Sequence, residues 1–309
     1  MEPLTTAPAI KTKQRSLNEV ITDFLSSQDV RESSRQLYKR TIQQFFTWVT
    51  DNNINLDEIS RIDIIKYKAA LFEKGLSSLT VGSYLTIVRK FFQWTETEKI
   101  YPNIAKGIKT PKRSQKFKKQ HLTTDSCMEL LNHYRSKRDY AIVNLMLRTG
   151  LRTIEVSRLN IDDITFKSNQ RVLMIHGKGH NEKDEFVVLT DKAYEPIKEY
   201  LETRQVNNNS PLFASESNNN RGKQLTTKTI STIVKKGLKA IGLDGKEFTA
   251  HSLRHTTAVN ILKAGGSLYS TQVTLRHTNP ATTQIYTESI KEEQRLRNPA
   301  EKLIDSMLN

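Results

Sequence analysis

Between residues 250 and 286 the chain reads A-H-S-L-R-H-T-T-A-V-N and then, after Gly265-Gly266, T-L-R-H-T-N-P-A-T-T-Q-I-Y. His251, Arg254 and His255 stand at i, i+3 and i+4, so on a helix they share one face. His277 and Tyr286 follow. Earlier in the chain lie Arg152, two residues after a glycine, and Lys178, between the two glycines of H-G-K-G-H. Nothing in this set suggests hydrolysis of a neutral substrate. Cations and imidazoles around one phenol suit a phosphodiester. A phosphoryl transition state spreads negative charge over its equatorial oxygens. The planar arginine fork binds two such oxygens at once, and Arg152 and Arg254 fit that clamp. An isolated tyrosine, with a pKa of about 10, is a poor nucleophile. Nearby cations favour its phenolate, and an imidazole can accept its proton. Lys178, on a loop, can protonate the departing 5′ oxygen. Fixed cations supply the electrostatics without a metal or other cofactor. Taken singly, each residue has an ordinary explanation: a histidine near a helix start is usually a satisfied polar group, and a tyrosine is usually core. The ordered combination carries the reading.

Elements must bring these groups together. After His251, the apolar Ala258, Ile261 and Leu262 continue at helical spacing, and Gly265 or Gly266 is a natural C-cap. A helix-like run over 268–275 precedes His277 and a stop at Asn279-Pro280. Thr282 or Thr283 caps a last short helix carrying Tyr286. Upstream, 125–134 reads as a helix, and Asp139 caps a run over 140–148 that ends at Gly150. Residues 171–175 and 185–189 read as two strands, with Lys178 in the loop between them. Asp191 caps a helix to about residue 203. Residues 207–220 form an Asn- and Ser-rich loop. Thr226 or Thr227 caps a helix whose Ile230, Ile233, Val234 and Leu238 form one face and whose Lys228, Lys235, Lys236 and Lys239 form the other. In the first third, apolar residues recur at helical spacing from Ser16, over 33–51, over 63–73 and over 78–98. These four amphipathic helices make a compact all-α domain, with Trp48 and Trp94 read as core.

The whole chain sets the partner. Its 309 residues suffice for two domains. A net charge of +15 points to a polyanion, with nucleic acid first and a membrane surface second. The longest apolar run, 141–147, is broken by Asn144, so no membrane span is expected. The first fifteen residues hold no apolar signal core. Cys127 is the single cysteine, which excludes an internal disulfide framework or cysteine zinc site and suits a reducing cytoplasm. Residues 106–120 carry seven lysines and arginines and no acid, and read as a basic linker that can strap across a duplex groove. The expected layout is a disordered 1–15, a helical DNA-binding domain over 16–105, the linker over 106–120, a catalytic domain over 121–290, and a tail over 291–309. Arg35, Lys39, Lys112, Arg113, Lys235 and Arg276 are the candidate DNA contacts.

The order T-G-L-R-T-I-E, strand–G-K-G–strand, H-S-L-R-H, L-R-H and T-T-Q-I-Y resembles the tyrosine recombinase, or phage integrase, family. The match spans about 121–290, and the preceding helices resemble that family's SAM-like core-binding domain. The resemblance implies a mainly α fold with a small β-sheet: a four-helix core-binding domain followed by an α+β catalytic domain. It implies that Arg152, Lys178, His251, Arg254 and His277 assemble around a scissile phosphate in double-stranded DNA. Tyr286 would attack it, leaving a 3′-phosphotyrosine and a 5′ hydroxyl. His251 would be the acid–base group and His277 a phosphate hydrogen-bond donor. Glu155 would brace the active-site turn, the alternative being a solvent-facing carboxylate, and His255 would be structural. The covalent link conserves bond energy, in keeping with the lack of a nucleotide-binding G-x-x-x-x-G-K-[ST] loop. The family usually has glycine where this chain has Arg276, which would either alter the local geometry or add a DNA contact. The resemblance further implies a homo-tetramer on paired sites, with the tail docking on a neighbouring protomer. With some fifteen residues ahead of the helical domain, no arm-binding domain is expected. The competing readings are a non-catalytic DNA-binding regulator on the same scaffold, a type IB topoisomerase-like activity, and a zinc hydrolase using His251, His255 and His277. The last lacks an H-E-x-x-H glutamate, and Arg254 would repel a cation.

Overall fold

Serine and threonine side chains write most of the helix starts. Ser16 opens α1 (Leu17–Ser27) through a reciprocal capping box with Glu19, whose carboxylate accepts from the Ser16 N–H at 2.6 Å. Helix α2 (Glu32–Asp51) follows. Ser60 and Asp63 cap α3 (Arg61–Glu73) in the same way, and Ser77 caps α4 (Ser78–Thr97). The computed structural model describes residues 15–112, 120–176, 182–297 and 299–308. It divides into two compact units, the first ending and the second beginning within the basic stretch.

The first unit is held by an aromatic core. Phe24, Phe45, Phe46, Phe91 and Phe92 interlock edge to face, with Phe24–Phe91 centroids 5.2 Å apart and Phe45–Phe92 5.9 Å apart. Each such buried side chain contributes about 1.5–3 kcal/mol. Trp48 lies in this core and Trp94 packs on it. Ile108 is buried there too, while Arg61 and Lys68 of α3 donate to the carbonyls of Lys106 and Lys109. The first part of the basic stretch therefore lies on α3 rather than hanging free. Residues 113–119, Arg113 among them, fall outside the described residues.

The second unit runs α5 (Thr124–His133), α6 (Lys137–Thr149), α7 (Thr153–Ser157), β1 (Ile164–Lys167), β2 (Gln170–Ile175), β3 (Glu185–Val188), α8 (Asp191–Leu201), α9 (Thr227–Ala240), α10 (Ala250–Lys263), α11 (Leu268–Leu275), α12 (Ala281–Arg297) and α13 (Glu301–Leu308). Its small sheet is antiparallel in the order β1-β2-β3, with Ile164 opposite Leu173 and Met174 opposite Phe186. The protein is thus mainly helical with one small sheet. Helix α10 is the centre: residues 252–259 are buried on every face, and α6, α9, α11 and α12 all pack on it.

Four expectations change in detail. Strand β1 joins β2 through Ser168 and Asn169, both at positive φ (45° and 61°), the signature of a tight hairpin turn. Ser136 rather than Asp139 caps α6, and Thr190 rather than Asp191 precedes α8. Helix α12 is 17 residues long and runs across residue 290, because neither glycine nor proline interrupts it before Pro299. Its Glu293 pairs with Lys263 of α10 at 2.6 Å.

Candidate active site

Helix α6 ends at Gly150 in the left-handed conformation (φ 63°), and the chain turns at once into α7 with Arg152 as N-cap. A Cβ on Gly150 would lie 2.4 Å from Leu275 Cδ2, so the close approach of α11 requires glycine. Arg254 stitches the same two turns. Its side chain, 1% exposed, donates from Nη1 to the Gly150 carbonyl at 2.5 Å and from Nη2 to the Leu275 carbonyl. These carbonyls precede Arg152 and His277 by two residues each. One buried guanidinium therefore sets the backbone leading to both groups.

Glu155 is buried, not solvent-facing. Oε2 accepts from the Arg152 N–H at 2.7 Å and Oε1 from Arg152 Nη1 at 2.6 Å. Arg276 adds a bond from Nη2 to Oε2 at 2.9 Å. Burial opposes ionisation, but Arg276 and Arg152 together hold the Glu155 carboxyl below the usual carboxylate range.

His277 Nδ1 lies 2.9 Å from Oγ1 of Thr283, the third residue of α12. Burial first, then Arg254 and Arg152, pull the His277 ring down to about 4, so it is neutral at physiological pH. If Thr283 donates to Nδ1, Nε2 carries the proton. The Tyr286 ring sits between two imidazoles, 4.8 Å from the His255 centroid and 6.0 Å from that of His277. Tyr286 is 2% exposed. Burial raises its phenol pKa, and the charges of Arg254 and Arg152 oppose that rise. Burial and the neighbouring Arg152 and Arg276 lower Arg254 to about 9, which leaves it a cation at neutral pH.

Outside this cluster a groove of about 810 Å³ opens, walled by Arg152 and Arg254 on one side, His251 at the exposed start of α10, and the lysines of α9 on the other. Lys228, Lys236 and Lys239 are exposed along it. Lys235 is different: its ammonium donates to the carbonyls of Asp244 and Gly245 at 2.9 Å and of Phe248 at 3.3 Å. It fastens the loop before α10 while still lining the groove, with its side chain 38% exposed. A concave wall of cations beside a buried phenol is a shape that suits a polyanion.

The phage integrase family model matches residues 120–293, and the family's N-terminal SAM-like domain matches residues 21–99. This chain belongs to the phage integrase family. It is 31% identical to the tyrosine recombinase XerC of Thermodesulfovibrio yellowstonii, covering 86% of this chain and 90% of that one. It is 30% identical to the tyrosine recombinase XerA of Pyrococcus horikoshii, covering 80% and 82%. In fold it is similar to the XerH site-specific recombinase bound to a palindromic difH substrate, at a TM-score of 0.73 and 22% identity over 93% of this chain and 85% of that one. A lambda integrase fragment bound to a core site gives 0.68 at 16% identity, covering 87% and 94%.

In this integrase-family chain, Arg152, Arg254, His277 and Tyr286 converge within one unit, with His251 on the adjoining groove. Lys178 lies outside the described residues. Arg35 pairs with Glu32 at 3.2 Å, and Lys39 and Lys112 are exposed on the first unit. Arg276 is not a free DNA contact: its side chain is 6% exposed and faces Glu155 and Glu185. The correction has a simple cause. Arg276 occupies a left-handed C-cap (φ 54°) that directs its side chain inward. Sequence reasoning missed the contacts of His255, Thr283 and Glu185. The i, i+4 spacing of His251 and His255 was the available signal for the first, but one is exposed and the other buried. Among the described residues no three histidine, cysteine or carboxylate side chains converge as metal ligands would.

Proposed function

We propose that this chain is a site-specific DNA recombinase that cuts and rejoins strands through a 3′-phosphotyrosine at Tyr286. One observation carries the reading: four separate segments bring two arginines and a neutral histidine around a single phenol, beside a basic groove. Arg152 and Arg254 clamp the non-bridging oxygens, and His277 donates from Nε2. Tyr286 Oη attacks phosphorus, its proton passes to His251, and the bond from phosphorus to the 5′ oxygen breaks. Lys178 protonates that oxygen. Attack by the 5′ hydroxyl of another strand reverses each step, with no net loss of a high-energy bond.

The net charge of +15 and the exposed lysines of α9 support duplex DNA as substrate. The XerH and lambda integrase structures are of DNA complexes, which supports the same partner. No described helix is long and apolar enough to cross a membrane. We assign the helical unit to core-site binding, the second unit to chemistry, and the working form to a cytoplasmic protein that becomes a tetramer on paired sites.

Tyr286 burial favours a second reading, DNA binding without cleavage, unless DNA shifts α12 and exposes the phenol. A nicked suicide duplex separates the two. The recombinase forms a covalent adduct, and Tyr286→Phe binds the duplex equally well but forms none. An adduct in that variant would place the nucleophile elsewhere, and no adduct with the wild-type protein would favour the second reading.

A further inference from the structure

Arg276 is a bulky cation in a left-handed turn, with almost no exposure. A non-glycine residue in that conformation is strained, and a buried guanidinium needs directed partners. It has two hydrogen bonds and one ion pair. Nη1 donates to the Thr274 carbonyl at 2.7 Å and Nη2 to Glu155 Oε2 at 2.9 Å, while Nε, which makes no hydrogen bond, faces Glu185 Oε2 at 3.5 Å at the start of β3. The next residue in the chain is His277.

We propose that Arg276 is a positioning residue for strand cleavage: a buried strut that fixes Glu155, and through it the Arg152 guanidinium, relative to His277. The inference rests on the recombinase reading above. Glu155 has two oxygens with different duties. Oε1 takes Nη1 of Arg152, whereas Oε2 is shared by the Arg152 N–H and Arg276. With Oε2 occupied in this way, Arg152 is gripped through one guanidinium nitrogen and keeps the others for a phosphate in the groove. Without Arg276, Oε2 loses its side-chain partner. The carboxylate is then free to take Arg152 as a bidentate fork, the geometry arginine and carboxylate prefer. That fork would hold the guanidinium back from the phosphate. Glu185 anchors the strut from the other side, so that Arg276 spans α7, β3 and the α11 turn. Its charge also adds to those that keep the His277 ring neutral.

Arg276→Gly is the cleanest test, because glycine takes φ 54° without strain and only the side chain is lost. Duplex affinity, adduct formation on the nicked duplex at saturating protein, and thermal unfolding would be measured for this variant, Arg276→Lys, Glu155→Gln and the double variant Glu155→Gln/Arg276→Gly. Expected are affinity within about twofold of wild type, adduct formation slower by about tenfold or more in Arg276→Gly, and partial recovery in Arg276→Lys. The double variant should be about as slow as Glu155→Gln alone, because both act through one carboxylate. Wild-type adduct rates in Arg276→Gly, or losses that multiply in the double variant, would overturn the inference and leave the recombinase reading standing. If Arg276→Gly does not fold, Arg276→Lys decides: it keeps the charge but not the fork, and a wild-type rate there overturns the inference equally. Absence of adduct with the wild-type protein would remove the recombinase reading and this inference together.

Discussion

His277 is where the site's electrostatics become measurable. Its ring is 9% exposed, among three arginines, and its pKa is depressed from 6.5 to about 4. The unfolded chain therefore binds a proton more readily than the folded one between about pH 4 and 6.5. The neutral ring's contribution is fully present above about pH 6.5 and is lost as pH falls through about 4, a change on the order of 3 kcal/mol. Thermal unfolding should show the midpoint falling over that window, and His277→Asn should flatten it. A wild-type curve with the same acid slope as the variant would mean that the ring titrates normally. At this scale the sequence was informative about identity and silent about burial. The motifs named Arg152, Arg254, His277 and Tyr286 because residue type and order survive without coordinates. Glu155 was ambiguous, since a glutamate one turn from an arginine reads the same whether it faces solvent or core. Arg276 was left between local geometry and a DNA contact because its partners, Glu155 and Glu185, lie 121 and 91 positions away in the chain.

Among the elements, the turn between α6 and α7 makes the sharpest demand on sequence. Gly150 must be left-handed, must admit Leu275, and must present its carbonyl to Arg254. Gly150→Ala adds backbone strain and an overpacked contact, together about 2–4 kcal/mol of destabilisation. Gly242→Ala is the internal control, for that glycine is also left-handed (φ 79°) but nothing lies near its missing Cβ, so it should cost only the backbone strain of about 1–2 kcal/mol. Chemical denaturation of both variants measures the difference, and equal losses would show that the Leu275 contact is irrelevant. Element boundaries were legible where a serine or threonine cap meets a helical apolar period, as at Ser16, Ser77 and Thr226. They were not where tertiary contacts decide. Strand β1 is four residues with Phe166 on an exposed face, so it offers no alternation to read. Helix α12 outlasts its expected length because its far turn is held by the Lys263 and Arg297 pairs to Glu293, at 2.6 and 2.9 Å.

For the whole molecule, the proposed tetramer predicts that assembly can be separated from DNA affinity at α13. Leu303, Ile304, Met307 and Leu308 recur at helical spacing and are 56–84% exposed, so α13 presents an apolar face. Affinity for DNA depends on the net charge of +15. Residues 299–309 carry one lysine and two carboxylates, so their removal shifts that charge by only one. If α13 docks on a neighbouring protomer, truncation after Arg297 should leave the salt dependence of binding and adduct formation on a single site within about twofold of wild type. Formation of a synaptic tetramer, read by light scattering on DNA-bound protein, should fall by about tenfold or more, because an apolar helix docked in a groove is a main source of subunit affinity. Met307→Asp should reproduce the defect in the full-length chain, since a charge on that face opposes burial against any partner. A truncated protein that assembles normally but melts at lower temperature would place the helix against its own domain instead. The two outcomes cannot be confused, because one moves only with protein–protein association and the other only with folding.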